Sequence, residues 1–106
     1  MNNPQISICQ FQIGDSKIYN IGKARKFIVD ACKDGSNIIV LPECFICPYN
    51  VNIFKENAEK IFDLDDKSCI GTRMLIDTSN TYKDVIIFGG SIIEETIEGN
   101  LYNTCI

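Results

Sequence analysis

Two short runs, Asn37 to Leu41 (NIIVL) and Asp84 to Phe88 (DVIIF), are apolar at nearly every position and rich in β-branched residues. Runs of this length without polar alternation suit strands buried on both faces, as in a parallel sheet covered by helices. The segment ahead of the first run supports that reading. Gln5 to Ile13 (QISICQFQI) is β-branched and partly alternating, and Gly14-Asp15 follows it, so it reads as a strand ending in a turn. A helix is predicted from Asp15 or Ser16, either of which suits an N-cap. Ile21, Ala24, Ile28 and Ala31 recur at helical spacing, with Phe27 and Cys32 widening the stripe. Lys23, Arg25 and Lys26 read as its solvated side. Lys33 and Gly35 close it as a last-turn cation and a C′ glycine.

Pro42 ends the NIIVL strand, and a loop runs on through Asn52. Phe54, Ala58 and Ile61 suggest a short helix, and the acidic stretch Asp63 to Asp66 a linker. Ser68 is the expected cap of a second main helix that turns Ile70, Met74 and Leu75 inward. After DVIIF the pattern breaks at Gly89-Gly90. Ser91 to Glu95 and Leu101 to Ile106 then read as a hairpin turning through Glu98-Gly99-Asn100. The order β-α-β-(α)-α-β-β points to an α/β domain with a helix-covered sheet. Ile106 falls in or just after an apolar strand, which reads as a chain cut within a larger domain.

Composition narrows the function classes. An apolar share of 45% and a charged share of 23% over 106 residues fit a globular chain. The formal charge is −4 and the basic residues are scattered, so nothing resembles the basic stripe that phosphate binding requires, and nucleic acid is not an expected partner. No apolar run approaches the roughly 20 residues that span a bilayer, so no membrane association is expected. The N-terminus lacks a basic stretch leading into an apolar one, which points to the cytoplasm. In that setting the six cysteines read as free thiols, and Cys9, Cys32 and Cys105 each sit in an apolar pattern.

Three features carry possible chemistry. Glu43 comes two residues after a strand, at the carboxyl end where α/β sheets bind ligands. Half-burial there would disfavour its charged form, as suits a general base, whereas a solvated loop glutamate is the plain alternative. Cys44 and Cys47 are spaced C-x-x-C, the spacing of a redox pair or half a zinc site. Against zinc, the chain has no His and no second C-x-x-C. Against redox, Pro48 follows and no helix opens at the pair. Gly89-Gly90-Ser91 lacks the phosphate-loop pattern, and its glycines suit close backbone approach or a bend. The absence of His excludes a Ser-His-Asp or Cys-His mechanism within this chain.

In order and at natural spacing, ISICQFQIGD, NIGKARKFI, NIIVLPECFICPYN, DVIIFGGSIIE and LYNTC resemble the N-terminal part of the nitrilase superfamily of carbon–nitrogen hydrolases. LPECF with PYN nearby, GGSI-x-E and LYNTC look closest to its omega-amidase branch. The resemblance implies an α/β fold, the N-terminal part of a four-layer α-β-β-α sandwich, with residues 1–106 an incomplete portion of one hydrolase domain. It implies a Glu–Lys–Cys thioester mechanism without a cofactor or metal, in which Glu43 is the general base and Tyr49 lines the substrate pocket. The implied substrate is a small-molecule amide, and the implied assembly a homodimer or higher homo-oligomer. The family's catalytic lysine and cysteine follow the LYNTC-like segment, so no lysine or cysteine of this chain takes either role, and the chain alone is expected to be inactive. Other amide or carbamoyl specificities, and a non-catalytic association domain, are the alternatives.

Overall fold

The computed structural model describes residues 3–106. Strand β1 (Ile6–Ile8) leads into helix α1 (Lys17–Lys33) and strand β2 (Ile38–Val40). A 3-10 turn at Val51–Ile53 runs into the single-turn helix α2 (Phe54–Asn57), and helix α3 (Ile70–Thr81) precedes strand β3 (Ile86–Phe88). Strands β4 (Ile92–Glu95) and β5 (Leu101–Thr104) form an antiparallel hairpin. The first three strands make a parallel sheet in the order β1-β2-β3, with Ile6, Ile38 and Ile86 in register and Ile8, Val40 and Phe88 likewise. A sheet that grows in one direction through right-handed crossovers places both crossover helices on the same face. Accordingly α1 and α3 pack against each other.

The core lies between those helices and the sheet. Ile21, Ala24, Ile28 and Ala31 of α1 meet Ile39 and Leu41 of β2 and its extension, and Met74 and Leu75 of α3. Each large aliphatic side chain buried this way contributes roughly 1.5–3 kcal/mol. Helix α1 follows its sequence pattern closely. Ser16 caps it by accepting the Tyr19 N–H, Lys33 lies in the last turn, and Gly35 follows the C-cap Asp34. Lys23 is a correction to the solvated-face reading: its ammonium donates to the Gln12 carbonyl and lies over the rings of Phe11 and Tyr19.

The two apolar runs are covered on one face only, where burial on both was expected. Ile39 and Leu41 point into the helix-covered core, but Ile6, Ile8, Ile86 and Phe88 on the opposite face are between 50% and 77% exposed. An apolar sheet face of this kind suits packing against a second sheet, as in an α-β-β-α sandwich. The described residues form one helix layer on one face of the sheet. Strand β1 is also shorter than the Gln5 to Ile13 run. Past Ile8, a bond from the Cys9 N–H to the Val40 carbonyl extends the pairing by one residue.

Helix α3 begins where expected, but Ser68 does not cap it; the Ser68 hydroxyl accepts the Lys60 N–H instead. The first-turn amides of α3 are satisfied by Glu59, a residue the sequence pattern did not single out. Its carboxylate accepts from Gly71 N at 2.7 Å, Thr72 N at 2.8 Å and Thr72 Oγ1 at 2.7 Å, and Lys17 Nζ lies 3.2 Å away. A carboxylate at a helix N-terminus also gains from the helix dipole. Gly71 makes room for it, since a Cβ there would sit 2.7 Å from Glu59 Oε2. The backbone of Glu59 bridges to β4, donating to Ile93 O and accepting from Glu95 N. That bridge explains why α2 stops at Asn57: Ala58 is extended, which delivers Glu59 to the strand.

Glu59 is fully buried, so Glu59→Ala would leave a buried hydroxyl and two helix amides without their partner and take the counter-charge from Lys17. The expected cost is about 3–5 kcal/mol, a large share of a small domain's stability. Urea denaturation of the two proteins measures it, and a loss under about 1 kcal/mol would contradict this account.

Candidate active site

Glu43 is delivered by the middle strand of the parallel sheet. Beyond Val40 the ladder continues for one bond, Leu41 N–H to Phe88 O, and Pro42, with no N–H, ends it. The chain then turns through Glu43 to Ile46, and Cys44, Phe45, Ile46 and Cys47 are all buried. Asn20 of α1 holds the inner side of this turn, donating to Ile46 O and to Gly14 O while accepting the Gly14 N–H.

Gly89-Gly90-Ser91 clasps the other side, as the close-approach reading of its glycines anticipated. Ser91 Oγ accepts the Cys44 N–H at 2.8 Å, Ser91 O accepts the Phe45 N–H, and Ser91 N–H donates to Pro42 O. Gly90 has φ +60, and a Cβ there would lie 1.9 Å from the Pro42 carbonyl oxygen. Glycine is therefore required on both conformational and steric grounds.

With the turn so anchored, the Glu43 side chain faces solvent rather than being half-buried as expected. Its Oε1 accepts a hydrogen bond from Asn103 Nδ2 at 3.4 Å, and Asn103 sits on β5 opposite Ile93. Among the described residues no lysine or arginine pairs with it. Asn103 also lines a cleft of about 120 Å³ together with Tyr49, Phe54, Ile93, Leu101 and Tyr102. Tyr49 is 71% exposed and meets the Phe54 ring edge-on, with centroids 5.4 Å apart. Asn103 thus connects the two site residues expected from the sequence, with Glu43 bound to its amide and Tyr49 across the adjoining cleft. Asn103 itself lies within the LYNTC segment, but its role depends on how the hairpin docks.

The thiols beside Glu43 carry no sign of activation. Burial pushes the Cys44 thiol up from its ordinary value, and burial followed by the neighbouring Cys44 pushes Cys47 up to about 12. Both stay protonated at neutral pH, whereas the reactive form of cysteine is the thiolate. All six cysteines are free, and among the described residues no group of three or more His, Cys, Asp or Glu side chains is gathered to hold a metal. No helix among them is long and apolar enough to cross a membrane.

Comparison with known proteins gives the family. The model of the carbon-nitrogen hydrolase family matches residues 5–106, and the chain belongs to that family. It is 36% identical to omega-amidase NIT2 of Danio rerio and 37% identical to omega-amidase NIT2 of Homo sapiens. Each alignment covers 99% of this chain and 35% of the relative. The chain therefore spans about a third of the length of these relatives. The solved structure of Saccharomyces cerevisiae Nit3, a member of branch 10 of the nitrilase superfamily, superimposes with a TM-score of 0.75 at 30% identity. That match covers 95% of this chain and 38% of Nit3.

The raised thiol of Cys47 carries a pH dependence. The folded state holds the proton more tightly than the unfolded state, so this contribution to stability is intact below pH 9.0 and is lost as pH rises toward about 12. The urea midpoint should fall between pH 9 and 11, and less steeply in Cys47→Ala. Equal slopes for the two proteins would remove Cys47 from the alkaline loss.

Proposed function

We propose that this chain supplies the general base and one wall of the substrate cleft of an omega-amidase-type hydrolase. That enzyme hydrolyses the terminal amide of small dicarboxylate monoamides to a carboxylate and ammonia. The observation that carries the reading is the placement of Glu43. It leaves the carboxyl end of the middle strand, bonded to Asn103 and beside the Tyr49 cleft, in a chain whose relatives are named omega-amidases.

In this reading Glu43 takes the proton of a cysteine thiol, and the thiolate attacks the amide carbonyl. A lysine and a backbone N–H stabilise the tetrahedral oxyanion. Glu43 returns the proton to the leaving nitrogen as ammonia departs, and a thioester is left. It then removes a proton from water, which hydrolyses the thioester and frees the thiol. The cysteine and lysine are not among these 106 residues. The raised thiols of Cys44 and Cys47 support that, because neither supplies a thiolate readily. The apolar cleft walls suit the short carbon chain of such a substrate, and Asn103 and Tyr49 offer it hydrogen bonds at either side.

Two measurements test the proposal. In a protein that joins this chain to the lysine- and cysteine-bearing remainder, Glu43→Gln should cut ammonia release by on the order of 10²–10⁴-fold while the circular dichroism spectrum is retained. Near-normal turnover would remove Glu43 from the mechanism, and a preference for carbamoyl compounds in an amide panel would overturn the substrate class. The 106-residue chain by itself should release no ammonia from any of these amides. Turnover by the purified chain would show that the account of the missing nucleophile is wrong.

A further inference from the structure

The C-x-x-C pair has no part in the proposed reaction, yet the fold brings its sulfurs together. Cys44 Sγ and Cys47 Sγ lie 3.8 Å apart, and the Cys44 thiol also reaches the Cys47 carbonyl oxygen at 3.4 Å. No other two sulfurs among the described residues are in hydrogen-bond contact. The Cys69 thiol, by contrast, is committed to the carbonyls of Lys60 and Asp63. Cys44 holds a left-handed backbone conformation, φ +49, which is uncommon for a residue with a side chain. The Ser91 hydroxyl on its N–H and the buried side chains of Phe45 and Ile46 keep it there. The pair is thus held in contact by the same clasp that positions Glu43.

We propose that Cys44 and Cys47 form a reversible disulfide when the folded chain meets hydrogen peroxide, at a modification site coupled to Glu43. One sulfur attacks a peroxide oxygen, the O–O bond breaks, and a sulfenic acid forms as water leaves with the thiol proton. The second thiol attacks the sulfenic sulfur; its proton departs with the hydroxyl as a second water, and the S–S bond closes. Two electrons and two protons pass from the thiols to the peroxide, and a dithiol reductant reverses the change. The side chains are 3% and 1% exposed, which admits a molecule as small as hydrogen peroxide more readily than a protein oxidant. Because burial raises both thiols, the reaction quickens as pH rises.

Closing the contact to the roughly 2.05 Å of a disulfide tightens the turn that begins at Glu43. It therefore shifts the Glu43 carboxylate against Asn103, 3.4 Å away in the reduced chain. The importance of that shift for catalysis rests on the proposed role of Glu43. The disulfide itself does not.

The test treats the folded chain with hydrogen peroxide, quenches in acid, unfolds it, alkylates it and maps the peptides by mass. Alkylatable thiols should fall from six to four, with the loss confined to Cys44 and Cys47 and reversed by dithiothreitol. Peroxide added to the unfolded chain should give mixed pairings instead. Full alkylation of Cys44 and Cys47, a Cys9–Cys32 pair in their place, or the same scrambled pairing in both states would overturn the site. The Glu43 amide and the Asn103 side-chain amide should shift on oxidation in nuclear magnetic resonance spectra, but not in Cys47→Ser. If they stay still while the disulfide forms, the coupling to Glu43 is wrong. Glu43→Gln should form the disulfide as the parent does, so failure of the catalytic reading stays separable from failure of this one.

Discussion

The contact on which the site depends is the fit of Gly90-Ser91 against Pro42 to Phe45. Pro42 releases the chain from the sheet, and a released segment needs other partners for its backbone groups. Ser91 supplies them with its hydroxyl, carbonyl and N–H, and Gly90 lets the two backbones come close enough. Because β3 leads directly into Gly89-Gly90-Ser91, the strand beside β2 is also the one that carries the clasp. Glu43 is therefore placed by rigid neighbours on both sides, although its own side chain reaches into solvent. Rigid support beneath an exposed group fixes where it can act.

Glu59 does for the second half of the chain what Ser91 does for the first. A single buried carboxylate meets two amides and a hydroxyl of α3 and the ammonium of Lys17 from α1, while its backbone pairs with β4. It thereby ties both helices to the hairpin that carries Asn103. Among the described residues no buried side-chain nitrogen or oxygen lacks a partner, so this polar network is complete. A complete network is tolerable in a core where a partial one is not.

The sheet has one open face. Ile6, Ile8, Ile86 and Phe88 form an apolar surface with no covering layer among these residues, next to the carboxyl end of β2 where Glu43 emerges. A facing sheet would bury that surface and dry the ground around Glu43 together.

Local pattern made much of this legible. The cap at Ser16, the stripe Ile21, Ala24, Ile28 and Ala31, the glycine turn of the hairpin and the ordered motifs around Glu43 are all properties of neighbouring residues. Dihedral preference and periodicity act over a few residues, so they can be read from the chain itself. What the tertiary structure decided are the long-range contacts. Glu59 replaces Ser68 at the start of α3 from twelve residues upstream of Gly71, and Asn103 reaches Glu43 across sixty. Asn20 braces a loop twenty-six residues away, and two cysteines that the sequence leaves merely spaced are brought into contact. Burial on a single face of NIIVL and DVIIF was hidden for the same reason. An apolar run suits burial on both faces, but only the packed structure shows which face a layer covers.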